Sequence, residues 1–144
     1  MNINNLSTFT KVASEKSAFY SVHHFVPSEG YFAGVHGRSI TLDKVTEEAV
    51  KSFYMGNSML VNNDHRIYIV AVKQGETTKL FCAIHLEDKR ASLEFGIYHL
   101  QSEVYPVGFF SNGEQPISIP MGQASGTAYQ QASYAKMKAQ EVLA

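Results

Sequence analysis

The sequence predicts an α+β fold: one antiparallel β-meander sheet flanked by N-terminal, central and C-terminal helices, in a single domain over 1–144. Three observations point there. The first is the run Asn57 to Pro120, which reads as five or six short strands broken at regular intervals by turn chemistry. The second is the length of the breaks: two to four polar residues leave no room for crossover helices, so neighbouring strands must be antiparallel. The third is helix-capping and apolar-stripe patterning on either side of that run and at the C-terminus.

Within the run, Arg66 to Lys73 is the clearest strand. Ile67, Ile69 and Ala71 alternate with Tyr68, Val70 and Val72, so both faces are apolar and both are expected to be covered. Met59 to Val61 precedes it, followed by the turn formers Asn62, Asn63, Asp64 and His65. Gln74-Gly75-Glu76 turns the chain into Thr77 to Leu86, where Cys82 lies on an apolar face with Leu80 and Ile84. Asp88-Lys89-Arg90 reads as the next turn, and Leu93, Phe95, Ile97 and His99 as one face of a further strand. Val104 to Phe110 continues the meander; Pro106 cannot donate to a ladder and marks an edge or a bulge. Ile117 to Ile119, between Pro116 and Pro120, suits a short edge strand.

On the N-terminal side, Asn4 or Asn5 caps a short helix from Leu6 to about Ser14, with Leu6, Phe9, Val12 and Ala13 on one face. Ala18 to Val26 reads as a strand stopped by Pro27 to Gly30. Tyr31 to Leu42 is apolar, but Gly34 and Gly37 weaken it as a strand or mark a bulge. Asp43 is the expected N-cap of a helix to Met55, with Val45, Ala49, Val50 and Phe53 as its buried stripe. Gly122 to Gly126 forms a small-residue linker in which Ser125 is a candidate cap. A last helix, Thr127 to about Val142, puts Ala128, Ala132, Ala135, Ala139 and Val142 on one stripe. The order helix, strands, helix, antiparallel strands, helix resembles the profilin-type layout; the resemblance is architectural and implies no activity.

Composition narrows the function classes. A formal charge of −1 and three scattered arginines offer no attraction to nucleic acid or to an anionic membrane. No apolar run reaches membrane-spanning length and no signal-peptide pattern opens the chain, so a cytoplasmic or virion-associated protein is expected. One cysteine forbids an internal disulfide. Zinc spacing, a serine elbow and a helical histidine–carboxylate pair are all missing from the sequence, so neither a catalytic residue nor a metal or other cofactor is expected. Mid-strand Cys82 reads as core. His23 and His24, adjacent on a strand, would point to opposite faces and could not share a metal.

Aromatic residues carry the functional expectation. Eight tyrosines and nine phenylalanines exceed what one modest core requires, and tyrosine is enriched at interfaces. Tyr98, Tyr105, Phe109, Phe110, Tyr129 and Tyr134 are the expected partner-binding residues of a non-enzymatic binding or assembly protein, viral or accessory in type, acting on a protein partner or as a homo-oligomer. The alternative is a small-ligand or nucleotide site, or an enzyme, in which His36, Arg38 and His85 supply the polar contacts, the glycines of Gly34 to Ser39 allowing close approach.

Overall fold

The structure is a computed structural model and describes residues 3–120 and 127–144. Among the described residues five α-helices and six strands follow one another along the chain: α1 (Leu6–Ala13), β1 (Ala18–Tyr20), β2 (Tyr31–Leu42), α2 (Glu47–Gly56), α3 (Ser58–Asn63), β3 (Ile67–Gln74), β4 (Thr77–Leu86), α4 (Lys89–Tyr98), β5 (Glu103–Pro106), β6 (Ile117–Ser118) and α5 (Ala128–Leu143), with a 3-10 turn at Val107–Phe110. The strands pair in the order β1-β3-β4-β2-β5-β6. The α+β class is therefore what the chain adopts. Its contacts divide it into two compact units, Met1–Val26 with Gly37–Ala83, and Pro27–His36 with Ile84–Ala144; strands β2 and β4 each contribute to both.

The first unit is organised on β3. Every residue from Ile67 to Val72 is buried, as the two apolar faces of that stretch require. Gly75, at φ +67, makes the tight turn into β4, the position at which a two-residue hairpin needs a residue free of a Cβ. β1 pairs antiparallel to β3, with Phe19 opposite Val70. Helix α1 begins where Asn5 accepts the Thr8 amide at 2.7 Å, and it buries Phe9, Val12 and Ala13.

β1 ends six residues sooner than its composition predicts. Ser21 competes for the backbone: its hydroxyl accepts the His23 amide and its carbonyl accepts the His24 amide, with His24 left-handed at φ +64. Helix α2 starts at Thr46, not Asp43; the Thr46 hydroxyl accepts the Ala49 amide at 3.1 Å, and Glu47 and Glu48 then fill the first turn. Met59 to Val61 belongs to α3 and not to a strand. Asn57, buried between α2 and α3, donates its amide to the Phe53 carbonyl and accepts from Arg38 Nη1.

The second unit departs most from expectation at residues 89–98, a helix where a strand is predicted. The period-2 row Leu93, Phe95, Ile97 overlaps a helical one: Ser92, Leu93, Gly96 and Ile97 are the buried residues, at spacings of one helical face. Asp88 decides between them, its carboxylate accepting the Ala91 amide as an N-cap. Helix α4 ends with Leu100 left-handed at φ +61, the Gln101 amide bonding to the Gly96 carbonyl and the Leu100 amide to Ile97, a Schellman closure without its usual glycine.

β5 lies between β2 and β6 in the strand order, so Pro106 does not sit on an edge strand. It is the last residue of β5, where a missing donor costs little. β6 is the edge, as its flanking prolines suggest. Residues 31–42 form one continuous strand despite both glycines; Gly37 takes φ +74 within it.

Helix α5 opens on a full capping box: Thr127 accepts the Gln130 amide while Gln130 Oε1 accepts the Thr127 amide. The predicted linker Gly122 to Gly126, with Ser125, lies outside the described residues. The buried stripe is Gln131, Ala135 and Ala139, rotated from the alanine row read in the sequence, and Ala128 is exposed. Gln131 explains the rotation. Its Nε2 donates to the Ile97 and Tyr98 carbonyls, both at 3.3 Å, and so ties α5 to the C-terminal end of α4.

Candidate binding surfaces

The six aromatic residues predicted to meet a partner divide into two groups. Tyr105, Phe109 and Phe110 form an inward cluster: ring centroids lie 5.3 Å apart for Tyr105–Phe109, 5.0 Å for Phe109–Phe110 and 5.6 Å for Phe32–Phe110. Tyr105 is 4 % exposed and donates its hydroxyl to Glu103 Oε1; burial, with the Glu103 charge adding, pushes its phenol far above the ordinary range. It is core, and the free chain cannot present it to a partner. Phe109 and Phe110 are half-buried. The 3-10 turn at Val107–Phe110 brings the Phe109 ring back onto Tyr105 of β5 and the Phe110 ring onto Phe32 of β2, where a continued strand would have alternated them.

Tyr98 and Tyr129 are exposed, and Tyr134 is half-buried under the ammonium of Lys138, 5.6 Å from its ring centre. All three belong to the α4–α5 pair. Between these helices runs an open groove of about 340 Å³, lined by Leu86, Ala91, Phe95, Tyr98, Ala132 and Lys136 among others. Along α5, Tyr129 is 82 % exposed, Met137 53 % and Leu143 36 %.

His36, Arg38 and His85 each make their own hydrogen bond. The His36 amide donates to His99 Nδ1 at 3.0 Å. Arg38 donates to Asn57. The His85 ring bonds the Glu29 carbonyl at 2.8 Å through Nε2 and lies 5.5 Å from the Phe32 ring. His99 stacks on Phe95 at 4.0 Å, and burial together with nearby His36 holds its imidazole below the usual value. Because Nδ1 accepts, the neutral ring carries its proton on Nε2.

Cys82 is fully buried, and desolvation pushes its thiol up to about 11 in spite of Arg38, so it stays protonated and inert. Among the described residues no group of three histidine, cysteine or acidic side chains is placed to hold a metal. None of the described helices is long and apolar enough to cross a membrane.

One arrangement has no precursor in the sequence reading. In the first unit a cleft of about 360 Å³ is lined by Leu6, Tyr20, Val22, His23, Tyr54 and Asn62. Leu6 and Tyr54 also line an adjoining groove that continues to Ser7, Thr10, Glu47 and Lys51. Its residues come from three helices, the end of β1 and the turn after it. No spacing in the sequence links them. Compared with protein-family models, with curated proteins and with solved structures, the chain matches none.

Proposed function

We propose that this chain is a non-enzymatic protein-binding protein whose contact surface is the outer face of α5, and that its partner is a second copy of itself. One observation carries the reading. Tyr129 and Met137 are exposed on the side of a single helix away from the buried Gln131, Ala135 and Ala139, and Leu143, one turn beyond Ala139, is exposed at the margin of that face. Singly exposed apolar side chains are ordinary on a soluble chain, whereas several on one face need a reason. Tyrosine and methionine are the residue types enriched in interface centres.

The spacing suits an isologous pair. Two α5 helices packed antiparallel about a two-fold axis near Lys136–Met137 bring Tyr129 of one copy over Leu143 and Ala144 of the other. Ser133 then faces Gln140, and the Lys136 stem lies along Met137 without opposing another Lys136. Tyr98, beside α5 on α4, would extend the contact.

Sedimentation equilibrium tests this directly. The expected result is a dimer that the double variant Tyr129→Ser, Met137→Ser converts to a monomer with an unchanged circular dichroism spectrum and a melting temperature that no longer depends on concentration. A wild-type chain that remains monomeric across the accessible concentration range would sink the proposal.

A further inference from the structure

Asn112 and Gly113 stand in the turn that joins the 3-10 segment Val107–Phe110 to β6, and both are exposed. Three amides of this turn, those of Ser111, Asn112 and Glu114, converge on the Gly108 carbonyl at 3.3, 2.7 and 3.3 Å. The Gly113 amide is passed over. Among the described residues it has no acceptor, and the Asn112 side chain makes no hydrogen bond either. Gly113 lies in the left-handed region at φ +72, and a Cβ added there would meet nothing within 4 Å. An unbonded main-chain nitrogen, with no side chain to shield it, therefore follows directly on an unrestrained carboxamide.

That juxtaposition is reactive. The Gly113 nitrogen can attack Cγ of Asn112, and because both belong to one short stretch of chain, no cost of bringing reactants together opposes it. The N–Cγ bond forms, the Cγ–Nδ2 bond breaks, and ammonia leaves with the proton of the Gly113 amide. Water then opens the succinimide at Cγ to give aspartate, or at the Asn112 main-chain carbonyl to give isoaspartate. Nothing is oxidised or reduced, and solvent is the only co-reactant.

None of the other described asparagines precedes a glycine, and the fold holds several of them in place. Asn5 accepts the Thr8 amide as the cap of α1. Asn57 is buried between the Phe53 carbonyl and Arg38. Asn62 lies in α3 and accepts the Tyr54 hydroxyl. We infer that Asn112–Gly113 is a site of spontaneous modification, at which the folded chain converts asparagine to aspartate and isoaspartate. The product adds one negative charge to a formal charge of −1 and places it two residues from Glu114. Isoaspartate also lengthens the main chain between the Asn112 and Glu114 amides, which share the Gly108 carbonyl, and so loosens the turn. This site shares no residue with the α5 surface and stands or falls separately from it.

Peptide mapping by mass spectrometry, on the full chain aged in neutral buffer, is the test. The peptide containing Asn112 should show exchange of NH2 for OH, resolved into aspartyl and isoaspartyl forms. Its rate should exceed those at Asn57 and Asn62 by about tenfold or more, since each of these must first give up a hydrogen bond. Gly113→Ala should slow the conversion, and Asn112→Gln, at an exposed position with no bond to lose, should abolish it even if the alanine variant fails to fold. An Asn112 peptide that converts no faster than those of Asn57 and Asn62 overturns the inference. So does a mass change in that peptide that persists in Asn112→Gln.

Discussion

In the unit formed by Met1–Val26 and Gly37–Ala83, the glycines stand in open space: a Cβ added at Gly37, Gly56 or Gly75 would meet nothing within 4 Å. In the other unit, Gly30, Gly34, Gly96 and Gly108 all stand where neighbours converge, Gly34 and Gly108 against the side chains of Gln101 and Glu114. A Cβ at Gly96 would come within 2.9 Å of both Ile119 Cδ1 and Val104 Cγ2, and one at Gly30 within 2.8 Å of the Leu86 carbonyl oxygen. The first unit fills its core with large side chains, Phe9, Ile69, Val70 and Leu80 among them, each at most 1 % exposed. The second also buries Phe32, Leu93, Ile97 and Val104, but it adds close approaches at Gly96 and small buried residues at Ala135 and Ala139, and beside these sits a polar group, Gln131, whose Oε1 is buried without a partner. The difference teaches that added bulk at a glycine should separate the two units: the second should fail to it where the first should not.

The largest expected effect belongs to truncation in the first unit. Phe9 is fully buried between α1 and β1, and Phe9→Ala should cost about 3–5 kcal/mol in urea denaturation, leaving a cavity that the surrounding sheet cannot close. A cost below about 1 kcal/mol would mean that this core collapses easily.

Paired glycine variants sharpen the contrast further. Gly96→Ala should destabilise by about 1–3 kcal/mol, because the methyl group is driven into Ile119 and Val104, both of which are themselves packed. Gly56→Ala, at the last position of α2 with open space around it, should stabilise by about 0.5–1 kcal/mol through helix propensity. Opposite signs for one chemical change, read from the same denaturation experiment, are the expected outcome. Equal signs would break the comparison.

A smaller effect, about 1 kcal/mol, is expected for Asp88→Ala, which removes the carboxylate that accepts the Ala91 amide at the start of α4. Helical content measured by circular dichroism should drop with stability, and Asp88→Asn, which can still accept, should restore both.

That residue also shows where the sequence was legible. β3 and β4 could be read because a buried strand needs only its own composition: Ile67 to Val72 is apolar on both faces, and Gly75 marks the turn between them. α1, α5 and the edge strand β6 were legible for the same local reason, through Asn5, the Thr127 boundary and Pro116. Asp88 was ambiguous, since Asp-Lys-Arg serves equally as a hairpin turn or as a cap with a first helical turn. What resolves it is burial at Ser92, Leu93, Gly96 and Ile97, against residues distant in sequence such as Ala33 and Ile119. The same holds for the sites. Tyr98 and Tyr129 could be named as exposed aromatics, but the burial of Tyr105 required knowing that Val107 to Phe110 curls back. The Tyr20 cleft draws on elements from Leu6 to Asn62, whose proximity no local pattern encodes.

The smallest effect is electrostatic and belongs to the second unit. His99 is held below the ordinary imidazole value by burial and by His36, so the folded chain binds its proton less readily than the unfolded chain. Its contribution to stability is therefore complete above the unfolded value of about 6.5 and is lost as pH falls from there through the lowered folded value. The geometry gives the loss a cause: a proton on Nδ1 displaces the His36 amide from the only bond joining those two residues. His99→Gln keeps an acceptor and removes the titration. Urea midpoints measured from neutral to mildly acid pH should fall more steeply for the wild type than for His99→Gln. Coincident slopes would show that the histidine pair does not set the acid limit of this unit, and that its weak point lies at the glycine contacts alone.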